Sequence, residues 1–154
     1  MKRTKLKKVS STERRKREIK LDREYQDFFR EVCGEGEISC EVCGKPMNIV
    51  HHFIEKSRCV NLRYNPINFV PLCSGCHFLI HMVGDYTGIA KITLGRGKKW
   101  FNDIQKIKQL PGHKDETTYD RAEKQLKDWQ WNNLVSEGGQ NRIFAELYKK
   151  YNHF

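Results

Sequence analysis

Apolar residues recur at helical spacing at both ends of the chain, and the middle breaks into short apolar runs between turn residues. Leu21, Tyr25, Phe28 and Val32 form one stripe behind a basic first half. That spacing predicts an amphipathic helix that starts at Ser10 or Ser11, where the Ser/Thr cluster offers caps, and stops at Gly34 and Gly36. Trp100, Ile104, Ile107 and Leu110 mark a second helix, broken at Pro111-Gly112. Tyr119, Ala122, Leu126 and Trp129 mark a third, with Thr117 as cap and Gly138-Gly139 as stop, and Ile143, Leu147, Tyr148 and Tyr151 a fourth. In the middle, Ile49 to Phe53 and Asn68 to Leu72 read as strands, joined by a loop with the turn signal Asn65-Pro66. The residues from Cys73 to about Met82 suit a short helix. The fold class expected is α+β: a small strand–loop–strand–helix core at 34–84, a basic arm and helix at 1–33, and a basic loop with helices at 85–154.

Charge narrows the partner. The net charge is +10, and residues 1–20 hold ten Lys/Arg against two Glu. A basic protein with a basic arm points to a polyanion, most often nucleic acid. Lys2, Arg3, Lys5, Lys7, Lys8, Arg14, Arg15 and Arg17 are the expected phosphate contacts of the arm. Arg58 and Arg63 in the central loop are further candidates, as are Arg96, Lys98 and Lys99 in a glycine-rich basic turn. The arm has too few apolar residues to sink into lipid, no run of about 18 apolar residues is present, and no apolar signal segment follows the N-terminus. A reducing, cytoplasmic setting is expected, the host cytoplasm if the chain is phage-encoded.

In such a compartment paired cysteines favour metal over disulfides. Cys40 and Cys43 form one C-x-x-C unit, and Cys73 and Cys76 another. A two-residue gap lets both thiolates of a knuckle face one tetrahedral ion, so the four make a closed, structural zinc site. A two-Cys, two-His finger from Cys40, Cys43, His77 and His81 would need a far longer span than the roughly 12 residues such fingers use, and would leave Cys73 and Cys76 idle. Cys33 and Cys59 read as ordinary thiols. Within the same stretch lie His51, His52, His77 and His81. His77 and His81 share one face of a helix and can grip one ion, whereas strand neighbours His51 and His52 point to opposite faces.

The strings CEVCGKPMNIVHHFI and NFVPLCSGCHFLIH resemble the HNH endonuclease superfamily in its zinc-knuckle form, over Cys40 to His81. The anchors are the His pair, Asn68 five residues before Cys73, and Cys76-His77. The resemblance implies the ββα-metal fold and cleavage of DNA, double-stranded by expectation, in phage, mobile-element, homing or restriction systems. It implies His52 as general base and Asn68 as a brace that orients it. His51 and His77 would be ligands of a catalytic divalent ion, and His81 an additional ligand of the colicin type. Zinc-knuckle members commonly carry Asp-His where this chain has His51-His52. The catalytic ion expected is Mg2+, Mn2+ or another transition metal. The alternative is a non-catalytic zinc module that binds nucleic acid, or a component of a recombination or packaging complex. A homodimer or protein partner would meet the C-terminal helices.

Overall fold

A computed structural model describes residues 10–32 and 38–135. The basic arm at 1–9, Cys33 and the fourth predicted helix lie outside the described residues, as does the Gly138-Gly139 stop.

Helix α1 (Ser11–Val32) begins as the caps predicted. The Glu13 N–H donates to Ser10 Oγ (3.2 Å) and the Ser10 N–H donates to the Glu13 carboxylate (3.0 Å), a reciprocal capping box that satisfies two otherwise orphaned donors. Strands β1 (Ile49–His52) and β2 (Phe69–Leu72) pair antiparallel, with His51 opposite Val70 and His52 opposite Phe69. Between them run the short helix α2 (Val60–Arg63) and a 3-10 turn at Pro66–Asn68. Helix α3 (Ser74–Phe78) continues into a π turn, Leu79–Val83, ended by Gly84 in the left-handed region (φ 73°), a conformation glycine enters without a Cβ clash. The strand–loop–strand–helix order therefore matches the prediction.

Two long helices follow, α4 (Tyr86–Gln109) and α5 (Glu116–Val135). The segment GIAKITLGRGKKW, expected as a basic turn in a loop, lies inside α4. Its glycines each weaken a helix by about 1 kcal/mol, but Ile92, Trp100 and Ile104 are buried along one side and hold it. The helix breaks once, at Gly97 (φ 79°, ψ 170°), a backbone region open essentially to glycine alone. Helix α5 is capped by Asp115, whose carboxylate accepts the Thr118 N–H at 2.9 Å. Thr117, the expected cap, stands inside the first turn.

Two apolar clusters hold these elements. Leu21, Tyr25, Phe28 and Phe29 of α1 meet Tyr119, Ala122 and Leu126 of α5 over Tyr64 and Phe69. Trp100, Ile92 and Ile104 of α4 meet Leu62, Ile67, Val70 and Leu72. The Trp100 indole donates to the Ile67 carbonyl at 2.8 Å, so its one polar atom is satisfied in the core. The flanking helices thus clasp the central segment from both sides. Among the described residues no helix is long and apolar enough to cross a membrane.

Candidate metal centre and nuclease site

The four knuckle cysteines converge. Cys40 and Cys43 sit on a turn closed by the Gly44 N–H to the Cys40 carbonyl (2.9 Å). Cys73 precedes α3 as its N-cap and Cys76 lies one turn in. One sulfur from each falls within 4.8 Å of all the others, and the Cys43 and Cys73 sulfurs are 3.6 Å apart. Sulfurs about 2.3 Å from a tetrahedral zinc stand roughly 3.8 Å apart, so the cage has the size the ion requires. The Cys76 N–H pulls the Cys73 thiol down to about 7, while burial pushes the Cys76 thiol up. A divalent cation removes that conflict, because it binds all four as thiolates. Cys59, buried in the second apolar cluster, takes no part.

A second cluster is made of imidazoles. His51 on β1, His77 on α3 and His81 on the π turn bring ring nitrogens within 4.8 Å of one another. His51 Nδ1 and His81 Nε2 are 3.1 Å apart. Two nitrogens on one ion at about 2.0–2.1 Å stand roughly 3.0–3.4 Å apart, so this spacing suits neighbouring ligands. Burial first, then the neighbouring imidazoles, hold His51 down to about 3, and burial first lowers His77. Neutral rings with free lone pairs are what a cation needs.

His52 faces away from that cluster, as alternation along a strand requires. Burial, above all, holds it down to about 4, so it is neutral near pH 7. Its Nε2 lies 2.9 Å from the Arg63 carbonyl oxygen. A carbonyl only accepts, so Nε2 carries the proton and Nδ1 keeps the lone pair, the tautomer a base requires. Asn68, 0 % exposed, fixes the loop that supplies this carbonyl. Its Oδ1 accepts the Ile54 N–H (2.7 Å), and its Nδ2 donates to the carbonyls of Ile54 (2.9 Å) and Leu62 (3.1 Å).

The predicted nucleic-acid contacts divide. Arg63, 6 % exposed, is buried between two α1 carboxylates: Nη1 to Glu18 (2.7 Å), and Nε and Nη2 to Asp22 (3.0 and 2.7 Å). Arg96 is buried against Glu41 and donates to the carbonyls of Ile67 and Phe69. Arg17 spans Glu116, Asp120 and Glu123 of α5 at 2.6, 2.6 and 2.8 Å. These three were expected at phosphates; their guanidiniums instead join elements of the fold, because carboxylates distant in sequence close on them. Arg14 pairs with Glu116 (3.5 Å), Arg58 with Glu55 (3.0 Å) and Lys99 with Asp103 (3.0 Å). Lys98 is exposed on α4, and Arg15 is exposed at the mouth of the histidine cleft. Lys2, Arg3, Lys5, Lys7 and Lys8 fall outside the described residues.

That cleft, about 700 Å³, is lined by His51, His52, His77 and His81, and also by Asp22, Lys56 and Lys114. The motif spacing did not point to Glu18, Asp22, Lys56 or Lys114. A signal for the first two did exist: Glu18 and Asp22 share a helical face with Leu21 and Tyr25, and acids on a buried stripe call for a buried cation.

Residues 40–81 match the family model described as HNH endonuclease. A stretch of 47 residues is 47 % identical to the mitochondrial DNA mismatch repair protein mutS homolog of Sarcophyton glaucum, and covers 28 % of this chain and 5 % of that protein. This chain therefore resembles only a small part of that relative. No solved structure matches. With a four-thiolate knuckle, a three-histidine cluster and a hairpin-and-helix core in agreement with the family model, residues 40–81 are an HNH endonuclease domain.

Proposed function

We propose that the chain is a metal-dependent endonuclease that hydrolyses phosphodiester bonds of double-stranded DNA. The observation that carries this reading is the pairing of two different histidine sets in one cleft: three rings converging on a common point, and a fourth with its basic nitrogen left free by the Arg63 carbonyl. His51, His77 and His81 would hold the catalytic ion, Mg2+, Mn2+ or another transition metal. When bound, that ion supplies Lewis-acid stabilisation of charge on the scissile phosphoryl and leaving oxygens. His52 Nδ1 takes a proton from water, whose oxygen attacks phosphorus as the bond to the 3′ oxygen breaks. The products carry a 5′-phosphate and a 3′-hydroxyl. Asn68 and Arg63 keep the base in register. The four-thiolate zinc has no open position and serves the fold, in a reducing, cytoplasmic setting that preserves thiolates.

DNA as substrate is supported by the net charge of +10 and by the likeness to a mismatch repair protein. One site of this size serves one strand at a time, so double-strand cleavage requires a second copy or a second encounter. The test is nicking of supercoiled plasmid with a divalent ion. His52→Ala should lower the rate by about 10²–10⁴, the usual contribution of a general base, with zinc content unchanged. Cleavage at the wild-type rate by that variant would remove His52 from the mechanism.

A further inference from the structure

The cleft has a basic wall to which segments outside the HNH domain contribute two of three cations. Arg15 comes from α1, Lys56 from the loop after β1, and Lys114 from the turn between α4 and α5; all three line the cleft that holds the histidines. They share two carboxylates with the buried Arg63. Arg15 pairs with Glu18 Oε2 (3.2 Å), Lys114 with Glu18 Oε1 (3.6 Å) and Lys56 with Asp22 Oδ2 (3.2 Å). The same Glu18 Oε1 and Asp22 Oδ2 also accept from Arg63 at 2.7 Å each. Four cations against two carboxylates leave a surplus of two positive charges. Glu55, also in the cleft, is balanced by Arg58 at 3.0 Å. The Arg63 side chain is 8 % exposed, whereas those of Arg15, Lys56 and Lys114 are 70, 34 and 45 % exposed.

This arrangement differs from ordinary surface ion pairs. Each carboxylate is committed first to the short, buried bonds with Arg63, so the rim cations sit at its second-best positions. An incoming phosphate oxygen can draw each of them away while Glu18 and Asp22 remain neutralised by Arg63. The surplus of two matches two phosphodiester groups, each of which carries one negative charge. Arg63 also ties the wall to the chemistry, because its carbonyl receives the His52 Nε2 proton.

We propose that Arg15, Lys56 and Lys114 form a phosphate subsite that seats the DNA backbone beside the scissile phosphodiester. The inference rests on the nuclease reading and adds the strand's path: across α1 and the α4–α5 turn, which lie outside the matched 40–81 segment. The subsite supplies affinity with no sequence information. Its contacts persist from ground state to transition state, so they act on KM and leave kcat nearly alone.

The test measures binding of a double-stranded oligonucleotide across a salt series, in the 154-residue chain carrying His52→Ala so that no strand is cut. Each phosphate contact contributes about 0.9 to the slope of log K against log salt. Lys56→Gln and Lys114→Gln should each lower the slope by about that much, and together by about twice that. Lys114→Arg, which keeps the charge, should hold the slope near the parent value. Lys106→Gln, an exposed α4 lysine away from the cleft, should leave it unchanged. Parental slopes in both Lys56 and Lys114 variants would overturn the subsite, as would an equal loss in Lys106→Gln or in Lys114→Arg. In the cutting protein Lys114→Gln should raise KM with kcat retained, and a fall in kcat at unchanged KM would also overturn it. Protein that shows the predicted slopes but never nicks plasmid would refute the nuclease reading and leave the phosphate subsite standing.

Discussion

Replacing Arg63 by methionine keeps an apolar stem of similar length and removes the fork that joins α1 to the HNH domain. In the wild type that fork makes two bonds, of 3.0 and 2.7 Å, to Asp22 and one of 2.7 Å to Glu18, with all three side chains largely enclosed. Removing one partner of a buried ion pair typically costs about 3–5 kcal/mol, because the other charge stays behind unpaired. Lys56 and Lys114 remain close to the stranded carboxylates at 3.2 and 3.6 Å, which places the expectation near the lower end, about 3 kcal/mol. For a chain of this size that is a fall in melting temperature of roughly 6–12 °C. Urea denaturation of zinc-saturated protein measures it, as a drop in midpoint at constant slope. The substitution also frees the backbone that accepts the His52 proton, so plasmid nicking should slow by about tenfold, within the range a misplaced base can lose. Arg63→Lys keeps the charge but cannot reach both carboxylates at once, and should recover only part of either loss. A destabilisation below about 1 kcal/mol would contradict the reading of Arg63 as a buried keystone, since surface ion pairs are worth that little.

Three further outcomes follow from contacts elsewhere in the fold. Asn68→Ala should cost about 2–4 kcal/mol in denaturant titration, since it strands the Ile54 N–H and the Ile54 and Leu62 carbonyls around a fully buried position. Arg17→Met should destabilise the α1–α5 contact near neutral pH, and less so in acid. The Arg17 hydrogen bond holds the Glu123 carboxyl below its ordinary 4.5, so its contribution is whole above 4.5 and lost as pH falls through the lowered value. The gap in melting temperature between wild type and variant should therefore narrow below pH 4.5, and a constant gap would exclude the pairing. Stripping zinc with a strong chelator, or Cys76→Ser, should abolish the thermal transition of the centre, whereas His77→Ala should leave it within about 1 kcal/mol.

What could be seen in the sequence depended on how far apart the interacting residues lie along the chain. The knuckles, the His pair, the i,i+4 histidines and Asn68 are encoded by short spacings, and each is where those spacings put it. The hairpin followed by a helix was legible for the same reason. The basic residues were harder to assign. Arg17, Arg63 and Arg96 looked like phosphate ligands because the carboxylates that hold them lie 99–106, 41 and 55 positions away. Only packing of α1 on α5, and of α4 on the knuckle, reveals those pairs. Helix α4 was read as a loop through 88–99 because three glycines lower its local propensity, while its stability comes from burial against α2 and β2. The π turn that carries His81 leaves no trace in the spacing, since i and i+4 positions share a face in either winding.

The proposed nuclease divides its labour between a closed zinc and an open histidine site. Protein treated with mild EDTA, shown to retain one zinc per chain, should be unable to nick plasmid until Mg2+ or Mn2+ is returned. His77→Ala with the same zinc content should stay inactive on that return. Nicking by the EDTA-treated protein with thiolate zinc alone, or full recovery in His77→Ala, would contradict that division.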